Sequence, residues 1–137
     1  MKKLFRILII LFTLNKIDAE AQSNSIQWQK SFGGFFDDDA NSIQQTSDKG
    51  YIVAGETYSN DGDVFGNHGD ADYWIVKLDS LGAILWQKAL GGTGTEYATS
   101  IKQTADGGYI VAGYSNSNDG DVTGNHGSFD AWLVKLD

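Results

Sequence analysis

WQK (28–30), YIVAG (51–55), SNDGDV (59–64), GNHG (66–69) and VKLD (76–79) return as WQK (86–88), YIVAG (109–113), SNDGDV (117–122), GNHG (124–127) and VKLD (134–137). Residues 26–79 align with 84–137 without a gap at an offset of 58, and 34 of the 54 aligned positions are identical. A period of this size is the signature of a solenoid or propeller, in which each unit buries its apolar faces only against neighbours. The chain divides accordingly into 1–21, a targeting segment, and 22–137, a repeat region with repeat 1 over 26–83 and repeat 2 over 84–137.

Alternation predicts four short strands per module, over 40–46, 51–57, 72–79 and 83–90 in the first copy. SDKG (47–50) and ADGG (105–108), set between apolar runs, are tight-hairpin signals. In the third strand Trp74, Val76 and Leu78 share one face, and Tyr73, Ile75 and Lys77 share the other. The second copy keeps Trp132, Val134 and Leu136 but changes the other face to Ala131, Leu133 and Lys135. The kept face is therefore expected to pack in an invariant setting, and the other against a variable neighbour. Beyond residue 21 no stretch has helical periodicity. The expected fold is all-β: two tandem four-stranded antiparallel propeller-blade repeats of 58 residues, the second lacking its own fourth strand. Trp28 with Trp86, and Trp74 with Trp132, occupy equivalent positions and read as inter-module core; sugar stacking is the alternative role for such rings.

Lys2, Lys3 and Arg6 precede the apolar run 7–14, and Ala19-Glu20-Ala21 fits a small-x-small cleavage site before Gln22. This is the pattern of a signal peptide, so the protein is expected to be secreted, periplasmic or on the cell surface. The apolar run is too short to span a bilayer. Cysteine is absent, so packing or assembly must supply the stability that disulfides give many exported domains. Acidic residues exceed basic ones, 18 against 10, for a net charge of −8. Such a balance argues against nucleic acid and anionic membranes as partners.

The pattern WQK-x-x-GG, A-x-SI-x-Q-T-x-D-x-GYIVAG, SNDGDV-x-GNHG, W-x-VKLD resembles the secreted β-propeller repeats common in Bacteroidetes, related to the SBBP and delta-60 repeat groups. The resemblance covers residues 26–137 and implies a secreted, many-copy propeller. It is specific for the repeat and implies no particular activity. Proteins of this kind commonly end in a type IX secretion sorting domain, which is not recognisable in 26–137.

Ile26–Phe32 matches Ile84–Leu90, so it reads as a fourth strand without its first three, while 98–137 supplies strands one to three. Two readings follow: a fragment of a longer array, or a homo-oligomer in which copies close a ring of about four to eight blades.

The loop SNDGDV-x-GNHG-x-x-D is the most site-like feature. It offers Asp61, Asp63, Asp70 and Asp72 in the first copy, and Asp119, Asp121 and Asp130 in the second. Asp61, Asp63, Asp72, Asp119, Asp121 and Asp130 are the candidate ligand contacts. Hard oxygens at alternate positions with glycine between them suit Ca²⁺, whereas Asx residues and glycine are also ordinary turn chemistry. The turn reading is the plainer one, and no cofactor or metal is expected. His68 and His126 each precede an aspartate by four residues, and a ring-to-carboxylate hydrogen bond that fixes the loop is expected. Asp37-Asp38-Asp39 has Thr95-Glu96-Tyr97 as its counterpart and reads as a solvated turn outside the module pattern.

No nucleophile elbow, P-loop, dinucleotide fingerprint or Cys/His zinc spacing occurs. The sequence thus reads as a non-enzymatic scaffold or binding module. The alternative is a lectin-like oligomeric propeller that binds sugars through Trp or Tyr and loop carboxylates.

Overall fold

The computed structural model describes residues 24–137. The signal peptide expected over 1–21 lies outside the described residues. Seven strands follow in order: β1 (Asp38–Gln45), β2 (Tyr51–Thr57), β3 (Asp72–Leu78), β4 (Ile84–Leu90), β5 (Glu96–Gln103), β6 (Tyr109–Ser115) and β7 (Asp130–Leu136). They form two antiparallel sheets, β1-β2-β3-β4 and β5-β6-β7. The described residues contain no helix, and neither sheet closes into a barrel. Each strand lies within two residues of its expected position. The sheet boundary does not coincide with the repeat boundary at 83/84, because β4 joins the sheet that precedes it.

The β1–β2 and β5–β6 turns are held the same way. Thr46 N–H bonds Gly50 O, and Thr104 N–H bonds Gly108 O. Lys77 Nζ of β3 reaches Asp48 at 2.9 Å and Lys135 Nζ of β7 reaches Asp106 at 3.0 Å, so the lysine of VKLD clamps the turn between the two preceding strands of its module. The glycine of YIVAG is a steric requirement. β1 bulges between Ala40 and Ser42, and β5 between Ala98 and Ser100. A methyl at Gly55 or Gly113 would overlap the backbone carbonyl of Asp39 or Tyr97 on the bulged strand.

The two sheets pack face to face. Ile52, Ala54, Tyr73, Ile75 and Leu90 of the first meet Ala98, Ile101, Tyr109 and Val111 of the second, with Trp132, Val134 and Leu136 against them. The kept face of the second module thus lies on the changing face of the first. The kept face of the first module, Trp74, Val76 and Leu78, packs with Val64, Ile84, Tyr51, Val53 and Phe32. Fully burying an aliphatic or aromatic side chain of this kind stabilises by about 1.5–3 kcal/mol. Polar bonds add register: Ile101 N–H to Ser42 Oγ (3.2 Å), Gln103 N–H to Gln44 Oε1 (2.7 Å) and Tyr73 O–H to Trp132 O (3.0 Å).

Two expectations are corrected. Residues 26–32 form no strand, because no described strand lies alongside them to take their backbone hydrogen bonds. Their side chains instead cover the first sheet, with Trp28 edge-on to Tyr51 at 5.6 Å. Nor are Trp74 and Trp132 equivalent. Trp74 is buried and its Nε1 donates to Gln87 Oε1 of β4 at 2.9 Å, whereas Trp132 is only half-buried because no described strand flanks β7 as β4 flanks β3.

Candidate functional site

The two acidic loops connect β2 to β3 and β6 to β7. Their carboxylates turn back toward the glycine pair that enters each module. Asp61 Oδ1 accepts from Phe35 N–H at 2.8 Å, and Asp63 Oδ2 from Gly33 N–H at 3.2 Å. In the second module Asp119 accepts from Thr93 N–H (2.8 Å) and Thr93 Oγ1 (2.7 Å), and Asp121 Oδ2 from Gly91 N–H (3.3 Å). The bonds to Thr93 hold the Asp119 carboxyl below its ordinary range. The asparagines brace the same loops: Asn60 accepts from Gly66 N–H and Asn118 from Gly124 N–H, while Asn67 and Asn125 donate to Thr57 O and Ser115 O.

The histidines behave as expected. His68 Nδ1 lies 2.7 Å from Asp72 Oδ2, which also accepts His68 N–H at 2.9 Å. His126 repeats this on Asp130 at 3.0 and 2.6 Å. The environments differ, however. Asp130 is held below its ordinary range by the bonds from His126, whereas burial first, and then the charge of Glu96, push Asp72 up.

The six candidate ligand residues are therefore distributed over separate backbone ties rather than gathered on one point. Among the described residues no group of three or more His, Cys, Asp or Glu is disposed to hold a metal ion. No helix of the described residues is long and apolar enough to cross a membrane.

The solvated-turn reading of Asp37–Asp39 is corrected at its middle residue. Asp38 opens β1; its carboxylate accepts from Gly34 N–H (2.8 Å), Ser59 Oγ (3.0 Å) and the Thr57 hydroxyl. Glu96 does the same in the second module, accepting from Gly92 N–H (2.8 Å) and Ser115 Oγ (2.6 Å). An acid at this place belongs to the module pattern. The chemical change from Asp to Glu, together with Thr57 to Ser115, hides the equivalence.

A cluster of rings near the joint has no prominence in the sequence. Tyr97 and Tyr114 centroids stand 5.3 Å apart, Tyr114 and Phe129 5.4 Å, and the Tyr58 hydroxyl lies 2.8 Å from that of Tyr97. That bond first, then burial and the nearby Tyr97, Glu56 and Asp37, push the Tyr58 hydroxyl up to about 12. The available signal was that all four rings fall where the two copies differ.

No family model matches the chain, and no curated protein matches it.

Proposed function

We propose that the chain is a secreted, non-enzymatic β-propeller-type repeat protein that acts as a scaffold or binding module. The observation that carries this reading is a repeated packing relation. Trp28 meets Tyr51 edge-on at 5.6 Å and 68°, and Trp86 meets Tyr109 edge-on at 5.8 Å and 62°. Residues 26–32 thus stand to the first sheet as β4 stands to the second. A unit that stacks on its successor by the same contact each time is how a propeller grows. The loop carboxylates support a structural reading of the module, since each one discussed above accepts a backbone N–H of its own module. The resemblance of the repeat to Bacteroidetes-type secreted repeats points the same way.

The arrangement also favours a second copy of the chain as a partner. Residues 26–32 align with β4, which pairs with β3, and keep its Ile, Trp, Gln and Lys at Ile26, Trp28, Gln29 and Lys30, and β7 presents the edge that β3 presents to β4. A native mass of several chains supports this ring-type assembly; a monodisperse monomer of the mature chain overturns it.

The functional reading is tested by screening the mature protein against arrays of glycans, cell-wall polymers and proteins, with product analysis on each. Binding without turnover is expected. Turnover of any substrate class overturns the reading. Export is tested separately by sequencing the N-terminus of the secreted protein, with Gln22 expected as its first residue.

A further inference from the structure

The joint between the two sheets has two unlike halves. The first sheet contributes Ile52, Ala54 and Ile75, and the second contributes Ala98, Ile101 and Val111, all buried. Each half occurs a second time, 58 residues away, on an outer face. Ile110, Ala112 and Leu133 repeat Ile52, Ala54 and Ile75 on the far side of the second sheet. Ala40, Ile43 and Val53 repeat Ala98, Ile101 and Val111 on the far side of the first. Among the described residues neither outer face is closed. Leu133 is 64% exposed where Ile75 is 0%, and Ile43 is 62% exposed where Ile101 is 2%. The outer face of the first sheet carries a groove of about 290 Å³, lined by Trp28, Phe32, Ala40, Ile43 and Val53 among others. In the joint, the residues equivalent to its last four, Leu90, Ala98, Ile101 and Val111, pack with Ile52, Ala54 and Ile75.

We propose that the two outer faces bind each other between copies of the chain: the second sheet of one copy docks, by its outer face, into the groove on the first sheet of the next. The proposal rests on the reading above that copies assemble, and adds the surface and the register by which they do so. Residues 26–32 of the next copy then lie beside β7. The β3–β4 register, carried over by 58 residues, sets Leu133 opposite Lys30 and Lys135 opposite Trp28 of the next copy.

The polar partners of the joint are kept for this contact. Trp74 Nε1 donates to Gln87 Oε1, and Trp132 and Gln29 repeat that pair. Ser42 Oγ accepts Ile101 N–H across the joint, and Ser100 and Ile43 repeat it. A change of size on one side is met on the other. Tyr73 and Leu90 oppose each other in the first sheet, and their equivalents are Ala131 and Phe32, a smaller residue facing a larger one. Because the two faces differ, the contact is head-to-tail, and each copy keeps one free face of each kind until a ring closes.

The test uses the mature protein and two variants, Leu133→Glu and Ile43→Glu. Each alters a side chain that is mostly exposed in the single chain, so both are expected to keep the β-sheet circular dichroism spectrum. Sedimentation should show the wild type associated and each variant alone as a monomer, because a carboxylate enters the apolar contact unpaired. An equimolar mixture of the variants should form dimers and nothing larger. One intact interface remains there, between the groove of Leu133→Glu and the second sheet of Ile43→Glu. An associated wild type whose mass neither substitution changes overturns the inference and leaves the assembly reading standing; a monomeric wild type overturns both. Loss of association in one variant only would mark a contact between like faces, and a mixture that stays monomeric would show that the unlike faces do not bind; either result overturns the inference. The protein has no cysteine, so Lys30→Cys with Leu133→Cys reads the register. These positions lie on opposite outer faces of one chain, and opposed residues of an antiparallel pair fall within disulfide range. Interchain links are therefore expected on mild oxidation, and an associated protein without them overturns the register.

Discussion

Asp72 and Glu96 face each other across the joint between the two sheets, both fully buried, with Gly91 between them. A methyl group at Gly91 would overlap Asp72 Oδ1 and Glu96 Oε2 together, which is how closely the two carboxylates converge. Both Glu96 oxygens are bonded, to Ser115 and to Gly92, whereas Asp72 Oδ1 has no hydrogen-bond partner. An unpaired buried acceptor beside a second acid is a stored cost at the centre of the interface.

That cost depends on pH. Burial, and then the charge of Glu96, raise Asp72 above its ordinary 3.8. Because the folded value exceeds the unfolded one, the folded state holds the proton more tightly. The destabilising contribution is absent below 3.8, grows as pH rises through the folded value, and persists above it. Asp72→Asn keeps an oxygen for His68 and turns an amide N–H toward Glu96. The variant is expected to melt above the wild type at pH 7, with the difference closing as pH falls toward 3.8. Melts recorded across this range check it, and a difference independent of pH would contradict the account.

Trp74 and Trp132 should diverge on truncation. Trp74→Ala empties a buried site and is expected to cost about 3–5 kcal/mol. Trp132 is half-buried, resting on Tyr73 at 4.7 Å, and Trp132→Ala is expected to cost about 1–2 kcal/mol. Denaturant unfolding of both variants measures the gap; equal losses would mean the two sites are equally enclosed.

The loop aspartates are expected to behave as structural acceptors. Asp63→Ala and Asp121→Ala each strand one glycine N–H and should cost about 1 kcal/mol apiece without added metal. Millimolar calcium should leave the melting temperature where a chelator leaves it. A ligand bound only by the folded state would add about 2.7 kcal/mol at a hundredfold excess over its Kd. A chelator-reversible rise would therefore place a cation among Asp61, Asp63, Asp119 and Asp121.

Lys49 sits at φ 68°, where the other module has Gly107 at φ 90°. A side chain in this left-handed region is strained. The hairpin bonds from Thr46 and Lys49 are made by backbone atoms, so Lys49→Gly leaves them intact. The change should raise stability by about 1 kcal/mol, net of the added freedom of the unfolded chain. A lower melting temperature would show that the Lys49 side chain contributes more than its backbone strain costs.

The strands, the hairpin turns and the two faces of β3 were legible in the amino-acid sequence by itself. Each is a local pattern: a period of two, a glycine where φ turns positive, and a repeat that separates kept from changing positions. The His68–Asp72 contact was legible for the same reason, since its partners are four residues apart. Tertiary structure alone decided the rest. The acid shared by Asp38 and Glu96 became visible only when each was seen on its own glycine pair and hydroxyl. Asp61, Asp63, Asp119 and Asp121 proved to be tied to backbone far upstream rather than gathered on one another. Tyr58 meets Tyr97, which neighbours Tyr114 and Phe129 at one end of the second sheet, only because one sheet docks on the other. Local periodicity specifies which way a side chain leaves its own strand; its neighbours are set by long-range packing between sheets, which no stretch of the chain encodes alone.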